Sequence, residues 1–530
     1  MKKTLLTIIG ALMLLNVWGQ EQKPMRRVAD EYFMRYEYGE AAIRYEDILR
    51  HRKKADPALL QHLATSYRKM NRYQDAADTY AKVTAGTKAG ADDFLYYGDM
   101  LKSLGRYEDA KTQYHQYIQK GGSQPMAQDR IAGCEAAMMW KEHPTGHVIK
   151  NARSINSSYA EWGGVYFKNN ILFTSDTLRK NELDRRSRRN KQSYGWTLQD
   201  QAKLYAQDTL SNGAIRIRDL SPILNKFKYH VGPLVFTNSY DTVIFTVTDP
   251  SKPALKKVKH WPLYGTRRLM MYRSINKDGA WQPATSFPYN KPDQYSVGHA
   301  ALSPDNHILY FASDMPGGKG GTDIWYCVRQ ADGTLGTPMN CGDVINTTED
   351  EQFPTIDEEG FLCFSSKGHV GMGGFDLFRA EGSKDQWTKP ENFGYPRNSP
   401  GDDFYYVTHG PNALLSSNRA AGRGDDDIYY LQLPQPYVSL TAVPILTIKL
   451  EGSICPQMKF PCVYLYNRQR NIGWCFVPGP DGRFDAMLQE ETDYVIRSYQ
   501  GGVVRDSLEF NTRGVKGPVT IQKSLCPGKP

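Results

Sequence analysis

A unit of just over fifty residues recurs in the second half of this 530-residue chain, and no other feature limits its fold as much. In its clearest copy Asn346 precedes Glu349-Asp350-Glu351-Gln352-Phe353-Pro354 and a turn at Asp357-Glu358-Glu359-Gly360. An apolar run from Phe361 to Ser366 follows, then the turn Gly371-Met372-Gly373-Gly374, Asp376-Leu377-Phe378 and Trp387-x-x-Pro390. The preceding copy holds Ser303-Pro304-Asp305, Leu309-Tyr310-Phe311-Ala312-Ser313, Gly317-Gly318-x-Gly320-Gly321 and Asp323-Ile324-Trp325. The following one holds Leu414-Leu415-Ser416-Ser417, Gly422-x-Gly424 and Asp427-Ile428-Tyr429, so the Asp steps are 53 and 51 residues. Asn156, Asn225, Asn290, Asn346 and Asn398 mark five unit starts, 52 to 69 residues apart. Four short strands with tight turns make such a unit a propeller blade. Residues 150–433 are therefore expected to form a β-propeller of five blades, or six if a terminal segment completes another.

The units differ most in one connection. Ser313 to Asp323, Ser366 to Asp376 and Ser417 to Asp427 each span 10 residues, whereas Ser175 to about Lys203 spans 28 and Thr248 to about Leu269 spans 21. Equivalent loops share one face of a propeller, which would set the two long ones side by side. Both are basic. The first carries Arg179, Lys180, Arg185, Arg186, Arg188, Arg189 and Lys191 against Glu182 and Asp184. The second carries Lys252, Lys256, Lys257, Lys259, Arg267 and Arg268 with no acid from 252 to 268. The formal charge of the chain is +9, so outside these loops and Lys2 and Lys3 it is mildly acidic. A docking patch for an acidic protein surface or an anionic envelope polymer is one expectation, and two solvated loops the other.

A second period precedes the first. Tyr38-Gly39-Glu40-Ala41-Ala42-x-x-Tyr45 returns as Tyr73-Gln74-Asp75-Ala76-Ala77-x-x-Tyr80 and as Tyr107-Glu108-Asp109-Ala110-x-x-x-Tyr114, at steps of 35 and 34. That is the tetratricopeptide spacing of paired helices, so residues 25–143 are expected to be an α-solenoid whose short concave groove could bind a partner. Pro57 and Pro125 fall at helix boundaries, where a missing N–H does no harm, and Met126 to Trp140 reads as a capping helix. After 434, strand-like runs at Val438 to Leu450, Cys462 to Tyr466, Trp474 to Val477 and Tyr494 to Tyr499 suggest a small β-sandwich over residues 434–530.

Lys2 and Lys3, the apolar run Leu5 to Leu15, and Val17-Trp18-Gly19 read as a secretory signal peptide over residues 1–19. No Cys stands at the cut, so a lipoprotein is not expected. Beyond the signal peptide no apolar run is long enough to span a membrane. Eight Cys in an exported chain permit disulfides; Cys455, Cys462, Cys475 and Cys526 could form two bridges in three ways, or remain buried thiols.

Few residues suggest chemistry. There is no Gly-x-Ser-x-Gly elbow and no His-Glu-x-x-His. Gly317 to Gly321 is expected to be a turn whose glycines supply positive φ. Asp323, Asp376 and Asp427 are expected to cap turns rather than to ring a metal. Asp425-Asp426-Asp427 with Asp402-Asp403 could hold Ca²⁺ only outside EF-hand spacing. Trp281, Trp325, Trp387 and Tyr429 are expected to pack between blades, and His299, His307 and His369 fit no ligand pattern. No cofactor, metal or catalytic residue is expected.

The Ser-Pro-Asp…Tyr-Phe-Ala-Ser…Asp-Ile-Trp units resemble TolB-type, WD40-like propeller repeats. The tail, with Gly452, Val463-Tyr464-Leu465, Asp481-Gly482-Arg483-Phe484 and Tyr494, is similar to carboxypeptidase-regulatory-like, transthyretin-fold domains. Tetratricopeptide repeats, propeller and sandwich, in that order, resemble envelope proteins of bacteria with a type IX secretion system. An OmpA-like, peptidoglycan-binding domain often follows in that group; no such segment stands before Pro530, so anchoring to peptidoglycan is not implied. The resemblance implies a non-enzymatic periplasmic scaffold or adaptor, peripheral to the outer membrane and serving protein secretion or gliding machinery through envelope proteins. The alternative is a glycan- or peptidoglycan-binding module. Nucleic acid is not an expected partner.

Overall fold

The computed structural model describes residues 24–51, 56–142, 144–145, 147–168, 170–177, 194–210, 212–251, 266–410, 412–432, 448–454, 462–468, 472–476, 478, 482–500, 503–516 and 519–525. Seven helices come first among them: α1 (Met25–Met34), α2 (Tyr38–Arg50), α3 (Pro57–Lys69), α4 (Tyr73–Thr84), α5 (Ala91–Ser103), α6 (Tyr107–Gln119) and α7 (Gln124–Glu142). The repeat motif starts α2, α4 and α6. Its Ala residues are fully buried where paired helices cross. Its second Tyr reaches back fifteen residues in each repeat: Tyr45 donates to Asp30 (2.7 Å), Tyr80 meets Thr65 (3.4 Å) and Tyr114 donates to Asp99 (3.0 Å). A buried phenol needs such a partner, and each repeat supplies a polar side chain at that place, Asp in two and Thr in the other. Pro57 opens α3, where Asp56 accepts from the Ala58 N–H at 3.0 Å.

Five antiparallel sheets follow, each built on four strands in simple order; in the second, Ala280–Trp281 adds a fifth, paired with Leu269–Lys277 off that path. Their first strands are Glu161–Phe167, Val231–Phe236, Val297–Leu302, Glu351–Ile356 and Asp403–His409. Each first strand neighbours the next in sequence, and Asp403–His409 neighbours Glu161–Phe167, so the five make a ring. The outermost strand of the fifth sheet is Val148–Asn151, which pairs with Asp427–Gln432 and ties the start of the β-rich region to its end. Every first strand has a β-bulge, and Gly163, Gly232, His299, Phe353 and Tyr405 in these bulges have positive φ. Val165, Leu234, Phe404 and Tyr405 fill the middle of the ring, with Trp162 and Phe353 against them.

The five recurring Asn residues do one job. Each side-chain amide accepts from the N–H, and donates to the C=O, of one residue in the third strand of its neighbouring sheet. The pairs are Asn156 with Ile428, Asn225 with Leu204, Asn290 with Met271, Asn346 with Ile324 and Asn398 with Leu377, at 2.7 to 3.0 Å. In every sheet that residue lies one place beyond the last backbone pair with the outer strand. The Asn amide therefore continues the ladder where the fourth strand leaves it.

The glycines of the recurring turns act differently from the sequence expectation. Gly317 alone of those in the turns at 317–321, 371–374 and 422–424 has positive φ. The others allow backbones to meet. A Cβ on Gly320 would lie 2.2 Å from the Glu349 oxygen, on Gly373 2.3 Å from the Gly401 oxygen, and on Gly424 1.6 Å from the Tyr159 oxygen. Each turn is thus pressed onto the loop that leads into the next sheet.

At the C-terminal end, Ile448–Ile454 lies between Arg483–Leu488 and Val519–Leu525, and a four-stranded sheet runs Ile472–Phe476, Cys462–Asn467, Asp493–Gln500, Val503–Asn511. Ile448, Leu450, Val463, Leu465 and Ile496 form one core between the two sheets. Met139 of α7 packs on Tyr464 and Tyr466. Cys134, Cys327, Cys341 and Cys363 are buried free thiols. Cys455 and Cys526 lie outside the described residues, and of Cys462 and Cys475 only the backbone is described. No helix among the described residues is long and apolar enough to cross a membrane.

Candidate partner-docking face

The loops joining second to third strands emerge on one side of the ring, and the helical array sits on that side. It approaches through the turns within its helix pairs. Tyr36, Asn71 and Gly105 hold positive φ in these turns, which ends one helix and starts the next within a few residues. Asn71 and Tyr73 donate to Asp402 at 3.2 and 2.9 Å, and Asn418 donates to the Tyr73 oxygen at 2.8 Å. Gly105 faces Pro400, and Gly133 of α7 lies so close to Gly371 that a Cβ would stand 2.5 Å from its oxygen. Arg130, on the same helix, bridges Asp99 (3.2 Å) and Glu349 (3.1 Å). The turn edge of the helical array is therefore occupied by the β-rich region.

The first long loop joins this contact. After residue 193 the chain returns through Tyr194 to Gln199 along the N-terminal helix pair. Trp196 donates from Nε1 to the Lys69 carbonyl at 2.5 Å, and its own carbonyl accepts from the Gly39 N–H at 3.1 Å. Its ring stands edge-on to Tyr38 at 4.8 Å. Leu198 covers Gly39, where a Cβ would be 2.5 Å from its Cγ.

Residues 178–193 and 252–265 lie outside the described residues, so Arg179, Lys180, Arg185, Arg186, Arg188, Arg189, Lys191, Lys252, Lys256, Lys257 and Lys259 do as well. Their roots are described, and they converge. Tyr194, at the end of the first loop, packs edge-on against His230 at 4.5 Å. Arg267, at the end of the second, stacks over Tyr229 at 4.1 Å and donates to the Asp249 carbonyl at 3.0 Å. Arg268 donates to the carbonyls of Pro292 and Asp293 at 3.1 and 3.2 Å. These two guanidinium groups brace the loop base, a role that composition could not separate from partner binding.

The recurring carboxylates face inward to backbone. Asp323 accepts from the Lys319 and Gly320 N–H groups at 2.5 and 3.0 Å, Asp376 from Gly373 at 2.9 Å, and Asp427 from Arg423 and Gly424. Among the described residues no group of three or more His, Cys, Asp or Glu side chains is placed to hold a metal ion. Trp325 and Tyr429 are buried in the cores of their sheets, the half-buried Trp281 packs on Phe236 of its own sheet, and the half-buried Trp387 stands edge-on to Tyr310 of the third sheet. His299 is stacked on Phe353 at 4.2 Å, and burial holds its imidazole down to about 3.

Asp426 has a different environment. Burial, with Asp402, Asp425, Asp176 and Asp427 nearby, pushes its carboxyl up to about 8. A carboxyl raised on folding keeps its proton longer in the folded chain, so stability is lost as pH rises from the unfolded value through about 8. Asp426→Asn is expected to match the parent near pH 4 and to be the more stable at pH 8, read from urea midpoints at both pH values. Equal midpoints at pH 8 would contradict this.

No family model matches the chain. No curated protein matches it. Solved structures give distant likenesses of propeller type. An α-L-arabinofuranosidase from Lactobacillus brevis is 13% identical, with 53% of this chain and 92% of that one covered at a TM-score of 0.34. An α-L-arabinanase from Penicillium chrysogenum is 10% identical, covering 51% and 92% at 0.31. The NanB sialidase from Streptococcus pneumoniae is 12% identical, covering 44% of this chain and 36% of that one at 0.28. Prolyl endopeptidases and a puromycin hydrolase also match. The expectation that the chain is not an enzyme is corrected by this finding, because these structures are hydrolases. At 10–14% identity they bring no activity to this chain.

Proposed function

We propose that the protein is an exported envelope scaffold that holds an acidic partner on the face shared by the helical array and the two basic loops. In this reading the five sheets are blades of a TolB-type propeller and the C-terminal sheets a transthyretin-like sandwich. The setting is the periplasmic side of the outer membrane, in or beside type IX secretion or gliding machinery. The observation that carries the reading is the convergence of both loop roots on Tyr229 and His230. With 178–191 and 252–268 starting from one place, their charge adds instead of being spread around the ring. The solenoid braces the same face through Tyr73 and Arg130, which gives a partner a fixed platform.

Replacing Arg185, Arg186, Arg188 and Arg189 together by Gln is expected to weaken partner recovery by about tenfold or more at low salt and to flatten its salt dependence. Recovery equal to the parent, from protein with an unchanged unfolding midpoint, would overturn the reading.

A further inference from the structure

The glycine turn of the fourth sheet departs from its counterparts. Four residues before the recurring Asp, the third sheet has Lys319 and the fifth Arg423, both exposed, whereas the fourth has the fully buried Met372. Met372 packs into the core of the helical array with Tyr107, Ala110 and Cys134. The carboxylate behind it differs too. An outer-strand amide donates to Asp323 and to Asp427, from Asn340 at 2.9 Å and from Asn151 at 2.8 Å. Asn392 holds the same place in the fourth sheet, but its amide donates to the Val370 carbonyl at 3.3 Å. Asp376 keeps one oxygen, Oδ1, buried with no bonded partner among the described residues. Two polar groups of the array stand at this turn. Tyr107, the first residue of α6, is 4% exposed, and its hydroxyl too has no bonded partner among the described residues. Lys102 of α5 is 7% exposed, and a Cβ on Gly133 would stand 3.1 Å from its Nζ and 2.5 Å from the Gly371 oxygen. Burial pushes the Asp376 carboxyl up to about 7 against the pull of Lys102, and burial with the Asp376 charge pushes the Tyr107 phenol up.

We propose that Asp376, Tyr107 and Lys102 bind one water molecule between them, and that this water latches the helical array to the fourth sheet. A buried water takes two to four polar partners, and these supply three: the phenol and the ammonium donate to it, and it donates to Oδ1 of Asp376. A phenol and a carboxylate left unpaired in a dry interior would weaken the contact that the array makes here. The fourth sheet has turned its own amide away, so its carboxylate is offered to the array. Met372, standing where the other turns carry a cation, lets the array cover the turn. The latch also keeps helical repeats and sheets in step. Tyr38 meets Trp196 from the first sheet's long loop, Tyr73 donates to Asp402 at the head of the fifth sheet, and Tyr107, at the same place in the next repeat, meets the turn of the fourth. The latch is independent of any partner taken by the basic loops.

Native-state amide exchange on the full chain tests this through the sign of one effect. Removing a buried hydroxyl that bonds nothing leaves exchange unchanged or slows it, whereas removing one bonded to the latch water speeds it. Tyr107→Phe is expected to speed exchange in α6 and α7 by about fivefold, and Asp376→Asn by a similar factor. The double variant is expected to be no faster than the faster single one, because both act on the same water. Asp323→Asn, the matched change in the third sheet, is expected to leave α6 and α7 at the parent rate. A crystal structure of the chain is expected to show an ordered water within hydrogen-bond distance of all three side chains. Exchange at or below the parent rate in Tyr107→Phe would overturn the latch, and that variant decides alone if Asp376→Asn does not fold. Single effects that multiply in the double variant, equal acceleration from Asp323→Asn, or a crystal structure with no water at this place would overturn it as well.

Discussion

Asn346→Ala and Asn398→Ala are each expected to destabilise the β-rich region by about 3 kcal/mol. Both residues are fully buried. Asn346 gives up a bond from the Ile324 N–H at 2.7 Å, one to the Ile324 C=O at 3.0 Å and one to Asn340 at 2.9 Å. The Ile324 carbonyl keeps the Cys341 N–H, but its own N–H is left in a dry interior. Each lost bond is worth about 1 kcal/mol, and an orphaned buried donor costs roughly 1–3 kcal/mol. Asn398 has the same geometry, with Phe393 retaining the Leu377 carbonyl. At the half-buried Asn225 and Asn290, water can replace part of what is lost, so their Ala variants are expected to cost less than half as much. Urea midpoints for the four variants test the order. Equal losses at all four would show that the amide clamp is not what these positions supply.

That clamp explains why the five unit starts were legible in the sequence. A single Asn, read only as a recurring mark, turns out to be needed once per sheet because only the carboxamides of Asn and Gln present a peptide-like N–H and C=O together, and Asn holds its amide closer to the backbone. The helical repeats were legible for a related reason: Tyr45, Tyr80 and Tyr114 each fill a space and reach a polar side chain fifteen residues back, so ring and spacing recur together. The pairing of Val148–Asn151 with Asp427–Gln432 was not legible, because four residues of ordinary strand composition carry no sign of a partner nearly three hundred positions away. The contact between the array and the ring was hidden likewise. Tyr73 and Asp402 look like a repeat tyrosine and a loop acid until the fold brings them to 2.9 Å. In the candidate face, Arg267 and Arg268 counted equally with the loop lysines by charge, and only geometry assigns them to backbone carbonyls.

The glycine turns reverse the usual reasoning about glycine and lead to the second large effect. Gly424→Ala is expected to cost about 3 kcal/mol or more, and Gly333→Ala only about 1 kcal/mol, although Gly333 is the one with positive φ. Gly333 has nothing within 4 Å of where a Cβ would stand, so an alanine there meets only the left-handed backbone penalty. At Gly424 the Cβ would fall 1.6 Å from the Tyr159 oxygen and 2.7 Å from its carbonyl carbon. Those are backbone atoms, and they cannot swing aside as a side chain can. Tyr159 leads into the first strand of the first sheet, while Gly424 belongs to the fifth, so the overlap falls where the two ends of the ring meet. The backbone N–H groups of Asp425 and Glu161 donate across the same seam, to the carbonyls of Tyr159 and Asp426 at 3.2 and 2.7 Å, and both bonds must stretch if the turn is pushed out. Amide exchange is the direct readout: Gly424→Ala is expected to speed exchange at Glu161 and Asp425 and along Val148–Asn151, with little change in the third sheet. Uniform acceleration through all five sheets would mean the seam is no weaker than the rest of the ring, and a Gly424→Ala loss no larger than that of Gly333→Ala would show that close approach is not what this glycine provides.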